Sequence, residues 1–241
     1  THSMHEICAN HLNGNKLDDK CSFLLRHNIK INVFSEKSAN DLISLSGGNK
    51  IRFSVIPFSL FTGYMEYADT KIAEIAETED YVLFYGFLRD YKGLNILYQA
   101  SKMFNKKIVI AGGGYVPVLE KVKLDNSFIV INRWLQNAEI ATLVRHCHVI
   151  VCPYLSSSQT GITQTAFCFD KPIVASRVPA FVSTIENENT GLLVDVGDET
   201  KFAAAINRTY VDSCLYNNMC KNIRIIRKNS DNSWRKIVNM Y

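Results

Sequence analysis

Six short apolar segments follow one another at regular intervals from residue 81 onward, and this repetition restricts the possible folds more than any other feature. They are YVLFYGF (81–87), KIVIAGG (107–113), FIVIN (128–132), VIVCPY (149–154), PIVAS (172–176) and GLLVDV (191–196). Such valine- and isoleucine-rich segments are typical of strands buried on both faces. Most of the gaps have helical periodicity, as at Leu94, Leu97 and Tyr98. Strands that alternate with helices predict an α/β fold with a doubly wound, Rossmann-like parallel sheet.

The first 80 residues have a different pattern. They contain a strand-like segment (30–35), a helix-like segment (36–45), a second strand-like segment (51–58) and a charged, helical connector (68–80). Because two βα units cannot close a sheet by themselves, we interpret this part as the end of a preceding, partial α/β domain.

The chain is therefore predicted to have three parts. Residues 1–80 comprise the remnant of the first domain and the connector, and residues 81–228 form one complete Rossmann-like domain. Residues 229–241 form a last amphipathic helix, with Trp234 and Ile237 on one face.

Composition narrows the class of protein. Of the 241 residues, 47% are hydrophobic, and no apolar run approaches the roughly 20 residues that span a bilayer. The opening THSMHE is not a secretory signal, and seven cysteines without a C-x-x-C pair indicate reduced thiols, hence a cytoplasmic protein. A net charge of +4 is too small to indicate nucleic-acid binding, but it suits an anionic ligand or a loose contact with a membrane surface.

Three loops follow predicted strands at the edge where open parallel sheets bind ligands. GFLRDYKG (86–93) contains Arg89 and Lys92, AGGGY (111–115) permits close backbone approach, and SSSQTGITQTAF (156–167) leads into a helix. A helix start with hydroxyl groups, opposite two cations, suits a diphosphate.

Each loop also has a simpler interpretation. The glycine run is also compatible with a plain turn, Arg89 and Lys92 with a solvated loop, and the serine-rich stretch with ordinary helix capping. His146 and His148 flank Cys147, but a helix end followed by a strand directs them to different faces, so no metal site is expected.

The order and spacing of these motifs resemble the nucleotide-sugar-binding half of the GT-B glycosyltransferases, in particular glycosyltransferase family 4. The resemblance covers about residues 25–241, and its most specific parts are G-x-x-R-x-Y-K-G (86–93) and KPIVAS (171–176). THSMHE resembles the end of a strand in the family's acceptor domain, and the closing tryptophan helix resembles the one that crosses back onto that domain. The resemblance implies that about half of the acceptor domain, with its usual histidine, lies upstream of Thr1.

The resemblance implies transfer of a hexose from a UDP-, GDP- or ADP-sugar to a glycan or lipid-linked acceptor, with retained anomeric configuration and no bound metal or other cofactor. Arg89 and Lys92 would stabilise the leaving diphosphate as the catalytic residues. Backbone around Arg133 to Leu135 would meet the base. The residues implied in donor binding are Gly86, Gly113, Arg133, Trp134, Leu135, Ser157, Gln159, Thr160, Gly161, Ile162 and Thr165.

The sequence departs from the family at two places, one of which follows KPIVAS, where Pro179 and Ala180 stand in place of a common glycine pair. Many members have two glutamates with seven residues between them where this chain has Ser157 and Thr165. One branch, often in surface-polysaccharide assembly, instead has a Q-S-G-like stretch that SQTG (158–161) resembles. Three hypotheses remain: a bacterial surface-polysaccharide hexosyltransferase, cytoplasmic and in peripheral contact with the inner membrane; a non-catalytic GT-B-like sugar-nucleotide-binding or partner subunit; and a sugar-nucleotide epimerase, which the motif spacing fits less well.

Overall fold

A computed structural model describes residues 2–3, 12–13, 16–17, 27, 30–33, 36–45, 52–56, 59–75 and 80–230. These residues belong to two compact units, which meet in the chain between Ser59 and Leu60.

The first unit contains a small parallel sheet. Its described elements are strands β1 (His2–Ser3), β2 (Leu12–Asn13), β3 (Lys16–Leu17), β4 (Ile31–Val33) and β5 (Phe53–Val55), and helix α1 (Glu36–Leu45). Strands β1, β4 and β5 pair in that order and in parallel, whereas β2 and β3 form an antiparallel pair. The helix predicted at 36–45 is confirmed, and β4 and β5 lie within the two strand-like segments.

The second unit is built on a six-stranded parallel sheet. Its strands are β6 (Val82–Tyr85), β7 (Ile108–Ala111), β8 (Phe128–Ile131), β9 (Val149–Cys152), β10 (Ile173–Ser176) and β11 (Gly191–Val194). Each lies inside one of the six apolar segments. The spatial order is β8-β7-β6-β9-β10-β11, which is the Rossmann order with its reversal between β6 and β9. The predicted fold class is confirmed.

Helices cover both faces of this sheet. They are α2 (Ile72–Ile75), α3 (Leu94–Ala100), α4 (Leu119–Lys123), α5 (Asn137–His146), α6 (Ile162–Cys168), α7 (Pro179–Val182), α8 (Glu199–Val211) and α9 (Ser213–Ser230). Successive strand residues point to opposite faces. Leu83 therefore packs in the cluster that includes α5, α6 and α7, while Val82 and Phe84 pack in the cluster that includes α3, α4 and α8. No helix of the described chain is long and apolar enough to cross a membrane.

The division between the units differs from the predicted boundary near residue 80. Leu60 and Ile72 are buried in the core of the second unit, and Arg145 of α5 pairs with Asp69. Ile72 of the connector therefore packs on the Rossmann-like unit despite the surrounding charges, and so does Leu60, which precedes the connector. The helix predicted at 229–241 lies, from residue 231, outside the described residues.

Candidate functional site

The loops singled out from the sequence meet at the carboxyl edge of the sheet. The loops after β6 and β9 flank the reversal of strand order, the place where ligands bind in open α/β sheets. Backbone hydrogen bonds join them to their neighbours: Leu88 N donates to Gly113 O at 2.8 Å, and Leu155 N donates to Tyr91 O at 2.7 Å. One edge therefore presents the loops after β6, β7 and β9 as a connected surface.

Close backbone contacts explain why two positions of these loops are glycine. Gly93 has a φ of 69°, and an added Cβ would lie 1.9 Å from the carbonyl oxygen of Pro153. Gly112 has a φ of 149°, and its Cβ would lie 2.1 Å from the carbonyl oxygen of Gly86. Any side chain at either position would push the loops apart.

Lys92 is the charged residue that is buried at this edge. Its side chain is only 8% exposed, and its ammonium donates a hydrogen bond to the Tyr154 hydroxyl at 2.8 Å. No Asp or Glu of the described chain pairs with it. Burial lowers the pKa of Lys92, since the charged form loses its hydration. The site thus contains a positive charge that no neighbouring carboxylate balances.

Arg89, the second predicted cation, has a different environment. It is exposed, and its guanidinium carbon lies 4.7 Å from the centre of the Phe87 ring. It lines a groove of about 250 Å³ with Asp90, Leu94, Asn95, Val116, Pro117 and Val118. The structure therefore places Lys92 inside the β6–β9 crevice and Arg89 on the surface beside the loop after β7.

The loop after β8 is fixed by an ion pair. Both terminal nitrogens of Arg133 donate to the Glu139 carboxylate, at 2.9 and 2.6 Å, and Glu139 also caps the start of α5. Trp134 is exposed, whereas Leu135 is buried in the core. Gly113 approaches the backbone of Arg133 and Trp134, so the predicted base-binding segment lies next to the glycine loop.

The SSSQTG loop uses several of its own polar groups. Ser157 Oγ donates to the carbonyl of Gln159 at 2.8 Å, and the Ile162 N–H donates to Thr160 Oγ1 at 3.2 Å. Thr165 is buried, and its hydroxyl donates to the carbonyl of Gly161 at 3.2 Å. The helix-capping interpretation of this stretch therefore holds for the Ile162 N–H, which is hydrogen-bonded to the Thr160 hydroxyl.

Buried polar atoms without partners mark the same region. The Tyr85 hydroxyl, Gln159 Oε1 and Gln164 Oε1 are buried and have no hydrogen-bond partner among the described residues. The Thr165 hydroxyl lies near Tyr85, but it donates its single proton to the Gly161 carbonyl. Buried polar groups are normally paired, so such atoms at a crevice point to a polar ligand.

Sequence reasoning missed three side chains of this region: Tyr85, Tyr154 and Phe61. The first two are the last polar residues of their apolar segments, a position that could have identified them. Phe61 lies in the segment before the connector, and a Cβ added at Gly161 would lie 2.9 Å from its ring. No local pattern predicts that contact.

The two histidines beside Cys147 interact with residues that do not belong to these loops. His146 Nε2 contacts Asp69 at 2.8 Å, whereas His148 stacks between the rings of Tyr210 and Tyr216. No group of potential metal ligands occurs among the described residues.

Comparison with known proteins identifies the family. Residues 79–212, more than half of the chain, match the family described as "Glycosyl transferases group 1". O-antigen chain mannosyltransferase C of Escherichia coli is 27% identical over 180 residues, which cover 70% of this chain and 48% of that enzyme. The chain therefore spans about half the length of this curated relative.

Solved structures agree on the fold. HepE of Anabaena in complex with UDP and glucose has a TM-score of 0.79 at 17% identity, covering 99% of this chain and 70% of that one. Sucrose-phosphate synthase of Thermosynechococcus elongatus has a TM-score of 0.76 at 19% identity, covering 99% and 65%. These proteins have the GT-B fold, and so does this chain.

Proposed function

The chain belongs to the group 1 glycosyl transferases, and we propose that its Leu60–Ser230 unit binds the donor of a retaining glycosyltransferase. The reaction moves a hexose from a nucleoside-diphosphate sugar to a glycan or lipid-linked acceptor in bacterial surface-polysaccharide synthesis. The O-antigen mannosyltransferase relative supports the acceptor class, and HepE, solved with UDP and glucose, supports the donor class.

The buried Lys92 ammonium is the observation that carries this proposal. A cation removed from water without a counter-charge is energetically costly, and an incoming anion offsets that cost. The hydrogen bond from Lys92 to Tyr154 keeps the ammonium at the crevice but leaves its charge uncompensated. A diphosphate at the reversal of strand order supplies the missing negative charge.

The same charge serves the chemical step. As the bond between the anomeric carbon and the diphosphate oxygen breaks, negative charge develops on the leaving group. Lys92 stabilises this charge from a fixed, desolvated position, which makes the interaction stronger than it is in water. Arg89 moves from its place over Phe87 to contact the same phosphates as a two-pronged donor. Two protein cations fill this role, so the proposed mechanism uses no metal ion or other cofactor.

Neutral groups contact the sugar and the ribose in this proposal. Gln159, Thr160 and the unpartnered Tyr85 hydroxyl hydrogen-bond donor hydroxyls, while the backbone at Gly113 and from Arg133 to Leu135 meets the base. We propose a UDP-, GDP- or ADP-sugar as donor. We also propose a cytoplasmic location in peripheral contact with the inner membrane, for which the net charge of +4 is suitable, and no nucleic-acid partner.

A non-catalytic sugar-nucleotide-binding subunit is the second candidate. It is favoured by Ser157 and Thr165, which stand where many family members have glutamates. Thr165 is buried, with its hydroxyl on the Gly161 carbonyl, and offers no charge to a ligand. The retained, uncompensated Lys92 favours the transferase.

Calorimetric titration with UDP, GDP and ADP tests the proposal. We expect saturable binding of one nucleotide, and binding at least tenfold weaker, about 1.4 kcal/mol, in the Arg89→Ala/Lys92→Ala variant. The Lys201→Ala/Arg208→Ala variant removes the same charges from α8 and is expected to bind normally. Absence of binding at millimolar concentration, or equal binding by the site variant, would contradict the donor site.

Turnover separates the two candidates. Incubation with the nucleoside-diphosphate hexoses of the nucleotide that binds, without an added acceptor, is expected to release the free nucleotide slowly if the chain is catalytic, because water then takes the hexose in place of the acceptor. Tight binding without release over hours would instead favour the non-catalytic subunit.

A further inference from the structure

Lys92 is held from two sides by the loops after β6 and β9. Its Nζ donates to the Tyr154 hydroxyl at 2.8 Å and lies 5.0 Å from the centre of the Tyr154 ring. On the other side, a Cβ added at Gly86 would lie 2.7 Å from the same Nζ. The ammonium therefore has a defined position, set by a phenol and by the missing side chain of a glycine.

The Tyr154 ring is fixed independently of its hydroxyl. It is 2% exposed and packs edge-on against Phe181, with ring centres 5.2 Å apart, and against Tyr91, with centres 5.8 Å apart. Such aromatic contacts do not involve the hydroxyl oxygen. The oxygen is consequently a rigid acceptor, and removal of that single atom leaves the ring packing in place.

We propose that Tyr154 is a positioning residue for diphosphate binding, because its neutral hydroxyl fixes the Lys92 ammonium without cancelling the charge. A carboxylate at this place would also hold the lysine, but it would neutralise the charge that the phosphate needs. This inference rests on the proposed function and adds to it a residue that acts through Lys92.

Burial keeps the phenol neutral. Desolvation is the main cause that raises the pKa of Tyr154 well above its ordinary value, with a further contribution from Cys152. Tyr154 therefore remains a protonated acceptor at the pH values where the ammonium is charged. Its own proton is directed away from Lys92, since the oxygen accepts there.

A double-mutant cycle tests the inference with UDP, GDP and ADP as probes. The variants are Tyr154→Phe, Lys92→Met and both together, with calorimetric affinities measured for the nucleotide that binds. We expect Tyr154→Phe to weaken binding about tenfold and Lys92→Met to weaken it more. The combined variant should bind no more weakly than Lys92→Met, because a residue that acts through Lys92 has nothing left to position. Tyr98→Phe, which alters another tyrosine packed beside a lysine, is the matched control and should bind normally.

The pH dependence of binding gives a second readout. Without the hydroxyl, the buried ammonium loses a hydrogen bond to its charged form, so it deprotonates at lower pH. The alkaline loss of nucleotide affinity is therefore expected at lower pH in Tyr154→Phe than in the wild type. Substitution of a residue that only supports the fold would not shift the pH of this alkaline loss, which is the alkaline limb of the binding profile.

The outcomes are distinguishable. Additive losses in the cycle, or unchanged affinity together with an unchanged alkaline limb in Tyr154→Phe, would overturn the positioning role while leaving the donor site intact. A wild-type chain that binds none of the three nucleotides, or one whose binding Lys92→Met does not weaken, contradicts the proposed function itself and removes the basis of this inference.

Discussion

Replacement of Lys92 by methionine is expected to stabilise the unliganded protein while it weakens nucleotide binding. The side chain is 8% exposed, and its charge has only a neutral hydrogen-bond acceptor among the described residues. Burial lowers the pKa of Lys92, which means that folding disfavours the charged form relative to its stability in the unfolded chain. Methionine has a similar length and flexibility but no charge.

The magnitude follows from two opposing contributions. Burial of an ion costs several kcal/mol after local relaxation, and one hydrogen bond to a charged group offsets roughly 1.5–3 kcal/mol of that cost. We therefore expect Lys92→Met to raise the free energy of unfolding by about 1–2 kcal/mol, or the melting temperature by roughly 2–8 °C for a domain of this size. Nucleotide affinity should fall about 30-fold or more, because loss of one partner of a buried charge pair costs at least about 2 kcal/mol.

Thermal unfolding between pH 7 and 10 measures the effect. A lowered lysine pKa means that the unfolded state holds more protons above the folded pKa, so the wild type gains stability as pH rises through that pKa. The difference between variant and wild type should shrink over the same range. Lys102→Met is the control, since Lys102 is exposed and pairs with Asp125, and its removal should not stabilise the fold. A Lys92→Met variant that is less stable than the wild type at pH 7 would refute this reasoning.

Two further perturbations test the fold around the site. Gly93→Ala is expected to lower the free energy of unfolding by about 1–3 kcal/mol or more, because of backbone strain and the clash with Pro153. Gly113→Ala is the control: its Cβ meets only ordinary contacts, so this variant should melt near the wild-type temperature. Asp170 tests stability in acid. Burial is the largest single influence on its pKa and would raise it, but the guanidinium groups of Arg227 and Arg224 together outweigh burial, so the pKa is lowered. Its contribution to stability is therefore complete above the unfolded pKa and is lost as pH falls through the folded one, so chemical denaturation of Asp170→Asn should show a weaker loss of stability in acid. Equal acid limbs for the two proteins would contradict that assignment.

The strands and their order of appearance were predictable because buried parallel strands need continuous apolar segments. The fold class follows from alternation alone, and the position of the candidate loops follows from the parallel arrangement. Gly93 could be recognised as a glycine of the motif, but its contact with Pro153 depends on how closely β6 and β9 approach each other.

The environments of the charged residues were not predictable. Arg89 and Lys92 are three positions apart in one motif, yet one is exposed over Phe87 and the other is buried beneath Tyr154. Burial of Lys92 depends on its contact with Tyr154, which is 62 residues away in sequence and approaches only in the folded sheet. The charges of the connector likewise gave no indication that Ile72 joins the core of the second unit.

Amide chemical shifts of the isotope-labelled chain during titration with UDP, GDP and ADP test the central claim most directly. If the donor binds at the reversal of strand order, one nucleotide should shift the amides of 86–93, 112–115, 133–135 and 157–162 with a single saturation curve, and leave those of α8 and β11 unchanged. Saturable shifts confined to α8 and β11, or no shifts at millimolar nucleotide, would contradict the donor site.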